Sequence, residues 1–298
     1  MTAILFNIGQ APADAKHLAD LLGAELGELE QRQFPDQEHY LRLHQEVSGK
    51  EVIFFCSLFL PEAKLLPLLF LAAHCRSQGA RQVGLITPYL SYMRQDQAFN
   101  PGEVVTSRSF ANLLSAHLDY LVTLDPHLHR YPCLSEIYQC RTQAVAAAPA
   151  ISAWLAQQQQ DFILIGPDQE SQQWVEAVAT PLQMPWLVLH KDRYGDRDVR
   201  ISQLNLQDYP HHRPVVLDDI ISSGKTMLGA LEQIPAQSQH RPLCIGIHGV
   251  FADHAYAELS TLAQVITCNS LPHPSNQIDI YPLLAEATRQ CWLPHALG

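Results

Sequence analysis

The stretch Arg213-Pro-Val-Val-Leu-Asp-Asp-Ile-Ile-Ser-Ser-Gly-Lys-Thr-Met227 decides the fold. Val215 to Leu217 is the short aliphatic run of a buried strand. It meets two carboxylates, Asp218 and Asp219, then a turn of small residues, Ser222-Ser223-Gly224-Lys225-Thr226, from which a helix begins. Such a turn offers backbone N–H groups and hydroxyls to an anion, and Lys225 adds charge. Gly224-Lys225-Thr226 matches the close of a Walker A loop, but that loop needs a glycine where Asp219 stands. Two carboxylates repel a triphosphate and suit the vicinal hydroxyls of a sugar. The stretch therefore reads as a sugar-phosphate site, with phosphate on the turn and hydroxyls on Asp218 and Asp219. The structural alternative is a capped strand-to-helix turn without a ligand.

Working outward, the same alternation recurs. In the second half Phe162 to Ile165, Trp186 to Leu189 and Leu243 to His248 read as strands, and Ser171 to Ala179, Thr226 to Ile234 and His254 to Ala263 as helices. In the first half Ala3 to Phe6, Val52 to Leu58, Gln82 to Pro88 and Tyr120 to Leu124 read as strands. Ala63 to Ser77 and Thr106 to Leu118 read as helices, the latter N-capped by Thr106-Ser107. Asp36 to Leu43 alternates like an exposed hairpin strand. An alanine-rich helix, Thr142 to Gln158, is expected near the join, placed around residue 145, and a helical tail, Ile278 to Cys291, packs on either half. Strands alternating with helices predict parallel sheets covered on both faces, here in two α/β domains, 1–145 and 146–298.

In such sheets ligands bind beyond the carboxyl ends of the strands. Four ends carry polar residues: Asp125-Pro-His127, Pro167-Asp168, His190-Lys-Asp-Arg193 and Asp218-Asp219. Each alone is readable as a turn or a cap; the coincidence of four argues for a ligand.

The 298 residues are 47% hydrophobic and 16% charged, which excludes a disordered chain, and the net charge of −11 argues against non-specific nucleic-acid binding and anionic membranes. Only five lysines occur, and two of them, Lys191 and Lys225, fall inside these motifs. The seven cysteines are odd in number, without a C-x-x-C, as expected of thiols in a reducing compartment. The start, Met1-Thr-Ala-Ile-Leu-Phe-Asn7, lacks a basic n-region, and Val52 to Leu60 is too short to span a bilayer. These features predict a soluble cytoplasmic protein.

The acidic pair followed by a Ser/Thr-Gly turn resembles the phosphoribosyl-diphosphate loop of the type I phosphoribosyltransferase fold. Phe34-Pro-Asp-Gln-Glu38, Pro88-Tyr-Leu-Ser-Tyr-Met-Arg-Gln-Asp96, Phe99-Asn-Pro-Gly-Glu103, Thr123-Leu-Asp-Pro-His127, Gly166-Pro-Asp168 and Leu271-Pro-His-Pro-Ser-Asn276 resemble ribose-phosphate diphosphokinases, the synthetases of 5-phosphoribosyl 1-diphosphate (PRPP). The matches run in family order over nearly the whole chain, and the single Lys-x-Arg after His190 is closest to the shorter, archaeal-like members. The resemblance implies two similar phosphoribosyltransferase-like domains, each a mostly parallel sheet flanked by helices. It also implies transfer of the diphosphoryl group of ATP to the C1 hydroxyl of ribose 5-phosphate, magnesium as cofactor, and a homo-oligomer built from dimers.

Residue by residue, the resemblance assigns Phe34, Asp36 and Glu38 to an adenine-binding hairpin that serves a neighbouring subunit's site. Arg94 and Gln95 match ATP contacts, His127 and Asp168 the positions near the metal, and Lys191 and Arg193 the basic pair of the catalytic loop. His127 suits a water-mediated or ATP-contacting role as well as direct ligation. Asp218, Asp219 and Ser222 to Thr226 match the ribose-phosphate loop. Three departures stand out: Gln37 and Lys225 occupy positions where glycine is common, and Gln169-Glu170-Ser171 replaces a glycine-rich turn, adding negative charge. Two other readings stay open: a phosphoribosyltransferase that consumes PRPP, which explains the Asp218 loop alone, and a catalytically silent subunit of a synthetase, which the Gln169 turn suggests.

Overall fold

Runs of apolar residues with no polar alternation become strands buried on both faces, and here they form two parallel sheets. The computed structural model describes residues 2–189, 191–193, 199–201, 206–235 and 240–292, and for 191–193 and 199–201 the backbone only. The chain divides into two compact units, residues 1–146 with the C-terminal helix, and residues 147–280.

The first unit contains β1 (Ala3–Asn7), α1 (Pro12–Leu22), β2 (Glu25–Gly27), β3 (Leu29–Gln33), β4 (His39–Leu43), β5 (Glu51–Phe55) and α2 (Glu62–Ser77). It continues with β6 (Gln82–Thr87), α3 (Thr106–Ser115), β7 (Tyr120–Leu124) and β8 (Arg141–Val145). Its sheet runs in the order β2-β1-β5-β6-β7-β8, with β3 and β4 paired separately as an antiparallel hairpin. Phe6, Phe54 and Leu85 on the strands pack with Leu68, Leu71 and Cys75 of α2 in one core.

The second unit contains α4 (Ala148–Ala156), β9 (Phe162–Gly166), α5 (Gln172–Ala179), β10 (Trp186–Val188), β11 (Lys191–Arg193) and β12 (Val199–Ile201). Then come β13 (Arg213–Ile221), α6 (Lys225–Leu231), β14 (Leu243–Gly249), α7 (Ala255–Leu262), β15 (Gln264–Cys268) and β16 (Asn276–Ile278). Its sheet order, β10-β9-β13-β14-β15-β16, repeats that of the first unit strand for strand. In each unit a two-stranded antiparallel hairpin, β3–β4 or β11–β12, precedes the third core strand. The order reverses at β1/β5 in one sheet and at β9/β13 in the other, and such reversals open a crevice at the carboxyl ends of the strands.

The last helix, α8 (Tyr281–Trp292), packs on α1, β7 and β8 of the first unit. At its end Trp292 Nε1 donates to Tyr120 Oη at 2.8 Å, and Arg141 Nη1 donates to the Cys291 carbonyl at 2.8 Å. These residues surround Glu51, a buried carboxyl at the amino end of β5, whose pKa burial raises to about 7 against the pull of Tyr120, Arg81 and Arg141.

Three expected elements differ. The single helix over Thr142 to Gln158 is a strand and a helix: β8 adds to the sheet edge in register with β7, and α4 starts only at Ala148, with Pro149 in its first turn. The tail helix starts at Tyr281 rather than Ile278, because Ile278 pairs with Cys268 as part of β16. Thr106 is the first helical residue of α3, after Val105, and makes no cap; the neighbouring Ser107 hydroxyl lies 3.3 Å from Tyr131 Oη instead. No helix among the described residues is long and apolar enough to cross a membrane.

Candidate active site

In the second unit, the strands that flank the crevice carry the acidic residues. Asp168 follows β9, and its extended backbone ends the strand while its Oδ1 accepts from the N–H groups of Glu170 (3.1 Å) and Ser171 (3.2 Å). Asp168 N–H donates in return to Ser171 Oγ at 3.3 Å, which completes a capping box over the single turn 169–171, and Ser171 Oγ donates to the Asp168 carbonyl at 2.5 Å. Gly166 makes the turn possible, because a Cβ there would lie 2.5 Å from Ser171 Oγ and 3.2 Å from Val188. Asp168 thus caps the turn, as the bland reading has it, and keeps its second oxygen outside the cap.

Asp218 and Asp219 lie within β13, which runs on to Ile221, rather than beyond its end as the sequence suggested. The strand stays extended because β14 pairs with it from Val215 to Ile221. Asp219 N–H donates to Asp218 Oδ1 at 3.0 Å, and Asp219 is buried. Burial raises the Asp218 pKa to about 8, and repulsion from Asp219, Asp168 and Glu170 adds to it. Four carboxylates beside the β9/β13 crevice concentrate negative charge there. The donors are all hard oxygens, the set that magnesium or calcium prefers. Glu170, in the departing turn Gln169-Glu170-Ser171, belongs to this cluster.

Past Ile221 the chain turns through Ser222, Ser223 and Gly224 into α6. Gly224 takes a left-handed backbone, φ 72°, and Leu228 N–H donates to its carbonyl at 2.8 Å. Any side chain here would press on Ala255 and Leu259 of α7. Ser223 and Lys225 are exposed, and Ser222 and Thr226 are half-buried. Lys191 and Arg193 occupy β11, in register with Ile201 and Val199 of β12; their side chains, and His190, lie outside the described residues.

In the first unit a lysine lies at the corresponding strand ends. Lys64 Nζ donates to the carbonyls of Ser57 (2.8 Å) and Phe59 (2.7 Å) beyond β5, and a Cβ on Gly9, beyond β1, would lie 3.7 Å from its Cε. Burial lowers the Lys64 pKa.

The predicted ATP contacts sit on two loops of this unit. Phe34, exposed at the hairpin end, donates its N–H to the Glu38 carbonyl (2.8 Å), and Glu38 N–H reaches Asp36 Oδ1 (3.2 Å). Gln37 stands at φ 70°, a conformation glycine takes without cost, which accounts for the family's preference there. The Arg32 guanidinium lies over Tyr40 (4.0 Å) and Phe34 (5.1 Å), so the hairpin offers a stacked aromatic and cationic surface. Arg94 is exposed and Gln95 half-buried. Asp96 beside them is an anchor: it pairs with Arg130 at 2.7 Å, and its carbonyl accepts from Tyr131 Oη at 3.0 Å. Sequence reasoning missed Arg130 and Tyr131, which carry no signal beyond their place after Asp125-Pro-His127.

His127 follows β7 at φ 54°, close behind Asp125 at φ 32°, two non-glycine residues in left-handed conformations at one strand end. Its Nδ1 lies 3.0 Å from His129 Nε2. Strain of this kind, a few kcal/mol or less, concentrates at functional sites.

Two family models match this chain: the N-terminal domain of ribose phosphate pyrophosphokinase over residues 3–117, and the phosphoribosyl transferase domain over residues 135–280. Curated ribose-phosphate pyrophosphokinases are similar along most of their length. That of Methanopyrus kandleri is 29% identical over 276 residues, 91% of this chain and 94% of that one. That of Pyrococcus furiosus is 28% identical over 272 residues, 90% and 95% of the two chains. The crystal structure of phosphoribosylpyrophosphate synthetase from Mycobacterium smegmatis shares the fold, with a TM-score of 0.83 at 23% identity over 97% of this chain and 98% of that one. With both family models matched in order and relatives aligned over nine-tenths of its length, the chain belongs to the ribose-phosphate pyrophosphokinase family.

Proposed function

We propose that the protein transfers the diphosphoryl group of ATP to the C1 hydroxyl of ribose 5-phosphate, giving PRPP and AMP. The observation that carries this reading is the convergence of Asp168, Asp218 and Asp219 where the strand order of the second sheet reverses, beside a turn of small residues. Asp218 and Asp219 accept from the ribose hydroxyls, and the turn Ser222 to Thr226 takes the 5-phosphate. Phe34, Asp36 and Glu38 receive adenine, with the hairpin serving a neighbouring copy in a homo-oligomer built from dimers, and Arg94, Gln95 and His127 hold the triphosphate.

The C1 oxygen forms its bond to the β-phosphorus as the bond to the bridging oxygen breaks, the hydroxyl proton leaves, and AMP departs. Such a transfer is mostly positioning and neutralisation of charge. Magnesium would supply neutralisation of the phosphate oxygens; Asp168 in the second unit and His127 in the first are each proposed to face a metal ion. Lys191 and Arg193 add positive charge to the departing phosphate.

Purified protein incubated with ATP, magnesium and ribose 5-phosphate should yield AMP and PRPP. No AMP above a control lacking ribose 5-phosphate, in folded protein, sinks the proposal. Ribose 5-phosphate binding without AMP would return the silent-subunit reading, which the repulsion of Asp218 by Glu170 favours.

A further inference from the structure

The turn Ser222 to Gly224 is tied to a neighbouring segment. Its near side is tied to the segment between β14 and α7: Val250 and Phe251 both donate to the Ile221 carbonyl (3.0 and 2.9 Å), and Ala252 donates to the Ser222 carbonyl (3.1 Å). To deliver these three N–H groups the segment turns sharply, with Phe251 at φ 46° and Asp253 at φ 54°. Phenylalanine takes a left-handed backbone only when its surroundings enforce it.

Those surroundings are aromatic. The Phe251 ring lies 4.5 Å from His273 and 5.3 Å from Tyr256, and His273 and Tyr256 lie 4.5 Å apart, edge to face. Contacts at these distances are favourable. On its other side the ring lies over Gly249, where a Cβ would come within 2.5 Å of Phe251 and 2.9 Å of Thr267. His273 is itself fixed: its Nδ1 accepts from Ser275 N–H at 3.2 Å and lies 2.7 Å from Ser275 Oγ. Ser275 Oγ is 2.7 Å from Thr267 Oγ1, which donates to Asn276 Oδ1 at 2.7 Å. Burial lowers the His273 pKa. A chain of contacts runs from the buried end of β15 through His273 to Phe251, and from its backbone to the turn.

We infer that Phe251, seated between Tyr256 and His273 over Gly249, is a positioning residue that sets the sugar-phosphate turn for ribose 5-phosphate. This rests on the reading of Ser222 to Thr226 as the phosphate turn. None of the three rings is among the residues assigned to ATP, ribose 5-phosphate or metal. Loss of the Phe251 ring frees the segment to leave its strained conformation, and the Ile221 and Ser222 carbonyls then lose their three donors. The turn drifts, and the sugar phosphate binds less tightly. The ATP contacts lie on other elements and are untouched.

The test compares wild type, Phe251→Ala, Phe251→Leu and Phe251→Tyr by calorimetric titration with ribose 5-phosphate and by steady-state kinetics. The expected result is a roughly tenfold rise in Kd and KM for ribose 5-phosphate in the Ala and Leu variants, with Tyr within about twofold of wild type. Values of kcat and of KM for ATP should stay within about threefold. KM does not depend on the fraction of folded protein, so a fall in kcat alone, which loss of folded enzyme also gives, overturns the inference. So does an unchanged Kd in the folded Ala or Leu variant, or failure of Tyr to restore binding. If the Ala variant does not fold, Leu is judged by the same criteria, and if neither folds, the ring is structural and the inference is wrong. Absence of ribose 5-phosphate binding by wild type would instead overturn the functional reading and the inference with it.

Discussion

Asp168 carries two loads that substitution can separate. Its Oδ1 caps the turn 169–171 through two N–H groups, and its charge faces the half-buried Asp218. Asparagine keeps an oxygen for the cap and removes the charge; alanine removes both. Losing a cap typically costs about 1 kcal/mol, and relieving like-charge repulsion at a partly buried site returns up to a similar amount. Asp168→Asn should therefore be at least as stable as wild type, and Asp168→Ala about 1 kcal/mol below the Asn variant, or roughly 3 °C in Tm for a domain of this size. Activity should follow the charge instead of the cap. Both variants should need about tenfold more magnesium for half-maximal rate, because both lose the same anionic donor. Scanning calorimetry without magnesium and magnesium titrations of the ribose-5-phosphate-dependent rate test the two parts. If Asn and Ala are equally destabilised, the cap is not what Asp168 contributes to folding. If Asn retains the wild-type magnesium dependence, Asp168 does not face the metal.

Asp219→Asn should raise KM for ribose 5-phosphate by roughly tenfold to a hundredfold, the cost of about 1.5–3 kcal/mol for a lost charged hydrogen bond, measurable by initial rates. Lys191→Ala should lower kcat by two to three decades, about 2.7–4 kcal/mol, and leave ATP affinity nearly unchanged; a kcat within about threefold of wild type would reassign the role to Arg193 or the metal. Glu51 predicts a pH dependence of stability. Folding raises its pKa from 4.5 to about 7, so the folded state keeps a proton that the unfolded chain has lost. Its contribution is complete below pH 4.5 and falls away as pH rises through about 7. After allowance for screening by water the loss is about 1–2 kcal/mol. Urea unfolding followed through Trp292 and its neighbours should show that decline between pH 5 and 8 in wild type, and a flatter profile in Glu51→Gln.

The fold was legible wherever one kind of residue dominated a segment. Val52 to Phe55 and Phe162 to Ile165 admit no amphipathic helix, and both are buried strands. Thr142 to Val145 shows the limit: half polar and leading into an alanine-rich run, it reads as the start of a helix, and only pairing with β7 at the sheet edge makes it a strand. The acidic cluster was legible because Asp168 and Asp218-Asp219 follow apolar runs in the order a parallel sheet demands. Residues that hold the loops in place were not. Arg130 reaches Asp96 across 34 positions, and Phe251 meets His273 across 22, through geometry that exists only after the strands are aligned. Phe251 looks like one more apolar residue after a strand; its left-handed backbone has no counterpart in sequence.

A protein made of one topology twice has two equivalent sets of strand ends, and in the first of them the Lys64 ammonium group binds two carbonyls. The expected consequence is that equilibrium binding saturates at one ribose 5-phosphate per polypeptide. The hairpins tell the same story of divergence: in one half the inserted pair of strands presents stacked rings, and in the other it carries Lys191 and Arg193. One backbone topology thus carries different chemistry in its two copies through a few side chains, the plainest of which is a lysine that donates to two carbonyls beyond β5.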